Sequence, residues 1–469
     1  MDKKTLQILH EATGTLLART GVLLDSEPAL RLLADHGVRV DFLTRRVYPT
    51  LEHVAQALVT APAGFTLYHR RADRPLEIGG DQVYVIAGGA SVRVLTLEGQ
   101  YEQATWEHLG QFTTLLDALP QVHILLNQVD PTDSGGKGYY RRIAAKLFLG
   151  SSKPLCLQAE GAEDVEAFVD MAAVLRGSRQ AVAEKPLFLT GTNAEPPLVI
   201  PEAAADILLA ASAAGVPCGI GDYPMMGLTA PLTPAGALIQ RNAVQLTALL
   251  LSQFSHPGAP FYYVGAAGAV NPRTLEPCLA SPPAVKILRT SAALGRFYGL
   301  PVYGLAITDA RWPDGQAACE RTATFLAALE GGAQLIQGPT SMMDQMMLSS
   351  LSQAVIDHDI VGYLLAAWNP LDTSPEALAL EAIHEVATDL SLRAFRFGAH
   401  PHTVAHLRDE EWHPLAFGTD SFTAWRQSGS PTLIDRATAV ARDLLVHHRP
   451  QPLEEVEATE ILRIAKEER

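Results

Sequence analysis

The chain reads as an α/β protein built on a (β/α)8 TIM barrel, with an N-terminal mixed α+β segment and C-terminal helices. Two observations predict this. After residue 105, short apolar runs alternate with longer Ala- and Leu-rich helical patterns about eight times, the rhythm of parallel strands joined by crossover helices. No G-x-G-x-x-G turn follows any of these runs, which removes the main support for a doubly wound nucleotide-binding sheet.

Residues 4 to 18 place Leu6, Leu9, Leu16 and Leu17 at helical spacing, and Gly21 ends the helix before the extended VLLD. Short β-like runs follow, namely GFTLYHR, DQVYVIAGG and SVRVLTLEG, broken by glycines and by Pro62 and Pro75, so residues 1–105 form the N-terminal mixed region. The barrel is expected over residues 106–403. Its strands in order are HILLNQVDP, PLCLQAEG, PLFLTGTN, PCGIGDYP, PFYYVGAA, PVYGLAITD, AQLIQGP and FRFGAHPH. Several follow a Gly-Leu-Pro or Gly-Val-Pro step, in which glycine stops a helix and proline opens the next strand. Residues 404–469 are charged and helical, with LIDRATAVARDLLVHH and LEEVEATEILRIAKEE amphipathic enough to pack outside the barrel or at a subunit contact.

Fifty-one acidic and 36 basic side chains give a net charge of -15, and no Lys/Arg run marks a phosphate footprint, so nucleic acid is not an expected partner. His10 and Glu11 interrupt the N-terminal apolar stretch, leaving neither a leader nor a membrane span, so a cytoplasmic protein away from membranes is expected. Cys156, Cys218, Cys278 and Cys319 are scattered without zinc or disulfide spacing and read as reduced, mostly buried thiols.

In a barrel of this class, chemistry sits where the apolar runs end. Those ends supply polar and aromatic side chains, among them Glu160, Asn193, Asp222, Tyr223, Tyr263, Asp309, Trp312, Gln337 and His402. No G-x-S-x-G and no Cys with a recognisable His partner appears, so no side-chain nucleophile is expected. Tyr223, Tyr263 and Trp312 are candidates for a cage around a quaternary ammonium ion, which π faces attract without hydrogen bonds; filling the barrel is the alternative role for each ring. Met225, Met226, Met342, Met343, Met346 and Met347 fall just past two strand ends, where flexible thioethers line adaptable surfaces or fill a core. His400, His402, His406 and His413 raise a metal-dependent hydrolase as an alternative, against a structural role in capping the following helix.

Particular segments carry a resemblance. TGVLLDSEPALRLLADHGVRVD, VAQALVTAPAGFTLYHRRADRPLEIGG, MMGLTAPLTPAGALIQRNA, YGLPVYGLAITDARWPDGQAACE, GGAQLIQGPTSMMD and HPHTVAHLRDEEWHP are similar to successive segments of the trimethylamine methyltransferase superfamily, and the likeness runs over nearly the whole chain. The resemblance implies a corrinoid-dependent methyltransferase that passes a methyl group from a quaternary amine, such as a betaine, to Co(I) of a corrinoid (cobalamin) on a separate protein. It implies no bound metal, and a structural role for the histidine-rich segment. Methanogen members use pyrrolysine, and this chain is written without it, as are relatives acting on glycine betaine or related amines. On this view Tyr223, Tyr263 and Trp312 surround the ammonium, Gln337, Asn193 or His402 bind a distal carboxylate, and Asp309, Asp222 and Glu160 balance charge or organise water. The partners implied are a cognate corrinoid protein and a small quaternary amine, with a homo-oligomer compatible; the non-enzymatic alternative is a quaternary-amine binding protein.

Overall fold

A computed structural model describes residues 2–71, 74–133, 135–389, 396–407 and 412–467. The fold is α/β, with short parallel strands enclosed by helices. Leu335–Gln337 pairs with Tyr84–Ile86, and the single bridges Ile86↔Ile124 and Leu125↔Leu155 carry the pairing to Leu155–Gln158. From there it passes to Phe188–Asn193 and Cys218–Gly221, and a bridge Cys218↔Phe261 leads to Tyr263–Val264. Val302–Leu305 follows, between Tyr263–Val264 and Leu335–Gln337.

Seven of the expected segments take part in this parallel pairing, and the eighth is corrected. FRFGAHPH supplies no strand: Arg396–Ala399 is a 3-10 turn and Pro401–His406 a helix, while Phe395 lies outside the described residues. The His400 side chain accepts from the His402 amide and Pro401 occupies the first helical turn, so His-Pro is a helix start. DQVYVIAGG, expected in the N-terminal region, instead pairs with Leu335–Gln337, and its neighbour Arg93–Leu95 pairs in parallel with Leu348–Ser350.

The N-terminal helices Lys3–Arg19, Glu27–Asp35 and Leu51–Thr60 pack on the 22-residue helix Pro234–Ser255. That helix is buried on nearly all sides, and its buried polar residues Arg241, Asn242, Gln245 and Gln253 are each hydrogen-bonded there. The antiparallel hairpin Phe65–Tyr68/Pro75–Ile78 pushes Leu67, Leu76 and Ile78 into the apolar cluster enclosed by the central strands. The C-terminal helices Leu433–His447 and Glu455–Lys466 pack outside, on Leu351–Trp368 and on Tyr139–Gly150 with Ala162–Arg176. Among the described residues no helix is long and apolar enough to cross a membrane.

Candidate active site

Successive side chains on a strand point to opposite faces, so each central strand divides its residues between the interior and the helices. The interior cluster takes Ile86, Leu126, Cys156, Leu189, Tyr262, Val264, Tyr303, Leu305 and Leu335; their neighbours Val85, Leu125, Leu155, Phe188, Phe261, Tyr263, Val302 and Ile336 join the helix-facing core. On two adjacent strands the interior positions are glycines, paired in register as Gly191↔Gly219 and Asn193↔Gly221. A Cβ at Gly219 would stand 2.4 Å from the Tyr262 ring, and one at Gly221 2.3 Å from Asn193 Oδ1. These glycines make room for Tyr262 and Asn193 in the wall of a pocket lined by Tyr223, Tyr262, Tyr303, Gln158, Asn193 and Gln337, with Cys156 and Leu305 deeper.

The Tyr262 and Tyr303 rings stack with centroids 5.4 Å apart and planes inclined by 20°. Tyr262 donates its hydroxyl to Thr190 O at 2.5 Å and Tyr303 donates to Gln337 Oε1 at 2.8 Å, while Gln337 Nε2 donates to Gly88 O at 3.2 Å. The polar atoms of these three side chains are thus largely committed to the frame, and what the tyrosines offer a ligand is ring surface. Gln158 Oε1 is buried and unpartnered, the polar atom in this wall most in want of a ligand. Tyr223 closes one side, its hydroxyl 3.6 Å from Met346 Sδ.

No charged side chain lines the pocket among the described residues. Burial pushes the phenols of Tyr223, Tyr262 and Tyr303 above their ordinary value and the Cys156 thiol up to about 12, so the lining is neutral at neutral pH. Charge lies behind the wall. Asp222, 1% exposed and without a hydrogen-bond partner on either carboxylate oxygen, is pushed up to about 6 by burial, against the pull of the Arg241 guanidinium. Arg241 is itself buried, donating to Ala266 O at 2.5 Å and, at 3.4 Å, to Ser291 Oγ.

Outward, the pocket continues into an open vestibule that shares Gln158, Asn193, Tyr223 and Gln337 and adds Met225, Leu228, Val270, Leu275, Leu279 and Met346. Its wall is pinned from below, since Asp309 accepts from the Leu279 and Ala280 amides at 2.9 and 3.0 Å.

Of the residues singled out from the sequence, Tyr223, Asn193 and Gln337 meet in the pocket and Asp222 stands directly behind it. The others do not join them. Tyr263 faces the helices and donates to Asn242 Oδ1 at 2.9 Å. Trp312 is 46% exposed and lines a separate cleft with Leu97, Glu98, Ile434 and Arg442. Glu160 borders a different hollow, beside Lys137 and Tyr139. Asp309 holds a loop, and the His402 ring lies 3.4 Å from Glu376 O and 4.4 Å from the His406 ring. Tyr303 and Cys156, absent from the expected set, are interior by parity, and Tyr262 rather than Tyr263 carries the aromatic face. Strand parity together with the glycines of TGTN and CGIG is the signal that locates them.

Parallel strands thus end in a neutral pocket whose faces are largely aromatic. The chain belongs to the trimethylamine methyltransferase (MTTB) family, which matches residues 1–467. It is 28% identical to trimethylamine methyltransferase MttB of Desulfitobacterium hafniense, covering 98% of this chain and 92% of that one, and 28% identical to a glycine betaine methyltransferase of the same species, covering 97% and 94%. A trimethylamine methyltransferase MttB of Methanosarcina barkeri is 27% identical, over 96% of this chain and 91% of that one. The fold is shared with the crystal structure of the Methanosarcina barkeri monomethylamine methyltransferase MtmB, with a TM-score of 0.55, 13% identity and coverage of 95% of this chain and 87% of that one.

Proposed function

We propose that this chain moves a methyl group from a betaine-like quaternary amine to the Co(I) corrinoid of a separate protein, in a pocket at the mouth of a closed (β/α)8 barrel. The barrel on this reading takes Tyr84–Ile86 as its first strand, so the N-terminal unit ends before it, and the helices after residue 404 remain an outer extension.

The observation that carries the reading is the uncharged, aromatic lining around Tyr223, Tyr262 and Tyr303. A quaternary nitrogen has no N–H to donate, so it is held by π faces and dispersion rather than by hydrogen bonds. A betaine adds a carboxylate and is neutral in sum, which suits a neutral pocket; the amides of Gln158 and Asn193 are the groups available to orient that end. The relatives named for trimethylamine and glycine betaine bracket the same chemistry.

In the transfer the C–N bond breaks with its electron pair left on nitrogen, a neutral tertiary amine departs, and the cobalt supplies the pair for the new bond to the methyl carbon. No proton moves, so no general acid or base is required. The chain's own work is to hold one N-methyl toward the vestibule and to exclude water. The positive charge passes from nitrogen to the acceptor in this step, and the apolar walls formed by Met225, Leu228, Val270 and Met346 keep water from the reacting methyl.

The test is incubation with free Co(I) cobalamin and a panel of betaines, carnitines and simple methylamines, read as methyl-Co(III) absorbance. The expected result is turnover with at least one quaternary amine. Turnover with trimethylamine alone, or tight betaine binding without methylation of any corrinoid, would overturn the reading.

A further inference from the structure

Asp222 directly follows the strand Cys218–Gly221, and the residues on either side of it, Gly221 and Tyr223, both line the pocket. Alternation along an extended segment turns the Asp222 side chain the other way, toward Arg241 of the helix Pro234–Ser255, so one thickness of backbone separates its carboxyl from the cavity. Nothing among the described residues solvates the carboxyl there. Both oxygens are buried and accept no hydrogen bond, and Arg241 Nη2, near enough for the guanidinium charge to act on them, donates none. The other buried aspartates are tied down. Asp117 accepts from Ser151 Oγ at 2.6 Å, Asp164 from the Glu160 amide at 2.9 Å, Asp357 from the Ser341 amide at 2.6 Å, and Asp359 from three amides of residues 415–417.

A carboxyl so placed is cheaper to keep neutral than to ionise, unless further positive charge is brought near. The charged or titratable groups facing it are Arg241 on the helix and the Tyr263 phenol on the next strand. Burial pushes Tyr263 up to about 12 and a guanidinium keeps its charge, so neither changes state between pH 5 and 8. Tyr223, beside Asp222 on the same segment, also stays protonated in that range, because burial raises it. Asp222 is therefore the group at this wall whose charge can follow what occupies the pocket. While it is neutral, the Arg241 charge behind the wall repels a cation; once ionised, it cancels that field.

We propose that Asp222 is the counter-ion of an ammonium bound in the pocket, acting through the strand, and that in mildly acid solution it exchanges its proton for the cation. This rests on the cation-binding reading of the pocket and adds a linkage to it. When the cation enters, the carboxyl O–H bond breaks, the proton passes to solvent and the carboxylate remains. After the methyl has gone and the neutral tertiary amine has left, a proton returns from solvent; the transfer itself still moves none. A unit charge one strand away is worth about tenfold in cation affinity at an effective dielectric of about 20. Because the cation favours the ionised form, its affinity rises with pH across the range in which Asp222 titrates.

Calorimetric titration of the full chain with tetramethylammonium chloride, from pH 5.5 to 8.0 in paired buffers of different ionisation enthalpy, counts the protons. The expected result is release of roughly half a proton per cation at the acid end and none at pH 8.0, with affinity rising about threefold between them. Asp222→Asn should abolish the release and bind about tenfold more weakly than wild type at pH 8.0. The wild-type proton count stands even where the variant fails to fold. Binding at pH 5.5 without proton release, or release that persists in a folded Asp222→Asn protein, would overturn the inference and leave the proposed function standing. Failure of tetramethylammonium to bind at any pH would overturn it too, and betaine turnover in the methyl-Co(III) assay then shows whether the function falls with it.

Discussion

Tyr262 and Tyr303, on neighbouring central strands, stack 5.4 Å apart with each hydroxyl anchored to the frame, so that the pair forms a rigid aromatic wall. If the wall works through ring surface, Tyr303→Phe should keep kcat/KM within a few-fold, since only the bond to Gln337 is lost. Tyr303→Leu, which removes the face, should lower kcat/KM about tenfold or more, the ~1–2 kcal/mol of a desolvated cation–π contact. Steady-state kinetics with the accepted amine decides between them; equal losses in both variants would assign the effect to the hydroxyl.

Gly219 makes room for that wall. Its Cβ in Gly219→Ala would lie 2.4 Å from the Tyr262 ring, so the ring must shift or the strand must give. The expected outcome is a loss of ~1–3 kcal/mol in stability and a KM raised tenfold or more. Gly80→Ala, where a Cβ would meet nothing within 4 Å, serves as the control and should leave both unchanged.

The two aromatic candidates that the structure moves out of the pocket give a contrasting prediction. Trp312→Ala should leave amine affinity within twofold, because that ring borders a separate cleft. Tyr263→Phe should cost ~1 kcal/mol of stability through the lost bond to Asn242 while leaving kcat/KM in place. Calorimetric titration and thermal melts of the same samples separate the two effects, and a large affinity loss in either variant would return that ring to the site.

These reversals mark how far the sequence could be read. Seven strands were legible because each is a short apolar run between punctuated helices, and the strand ends named the right neighbourhoods. Which face a residue takes was not. In PFYYVGAA two tyrosines stand side by side, and only the pairing with Cys218 and Val302 fixes the parity that turns Tyr262 inward and Tyr263 outward. FRFGAHPH has the apolar and turn residues of a strand end, yet the capping role weighed for its histidines is the one His400 takes, and it makes the segment a helix start. DQVYVIAGG reads as one of the short glycine-punctuated runs of the N-terminal region, and only its pairing with Leu335–Gln337 places it among the central strands.

Asp222 predicts a pH dependence. Burial moves its carboxyl from 3.8 up to about 6, so between those values the folded chain binds more protons than the unfolded one. The contribution is fully present below pH 4 and is lost as pH rises through 6, by on the order of 3 kcal/mol. Asp222→Asn removes this titration and leaves the neighbouring Arg241 in place. Urea unfolding of both proteins at pH 4.5 and 7.5 should show the variant gaining relative to wild type at the higher pH. A difference that is the same at both values would mean that the carboxyl is solvated or paired.

Arg321 and Asp357 are both 0% exposed and lie 3.1 Å apart, joining the end of one central strand to the turn that shapes the vestibule. Arg321 donates to Ala306 O at 2.5 Å and also to Met342 O, and the second oxygen of Asp357 accepts the Ser341 amide at 2.6 Å, where the backbone adopts a φ of 101°. Arg321→Met strips the carboxylate of its countercharge and should cost ~3–5 kcal/mol, whereas Arg321→Met/Asp357→Leu should cost less than the sum of the single changes, because neither charge is then left alone in the core. The double variant still releases Ser341, and Gln345 and Met346 in the same turn line the vestibule, so its KM should rise even where its stability recovers. A double-mutant cycle on unfolding free energy, with kinetics on each variant, distinguishes the two roles. Additive stabilities would mean that the pair is not coupled, and an unchanged KM in a folded double variant would mean that the turn holds its shape without them.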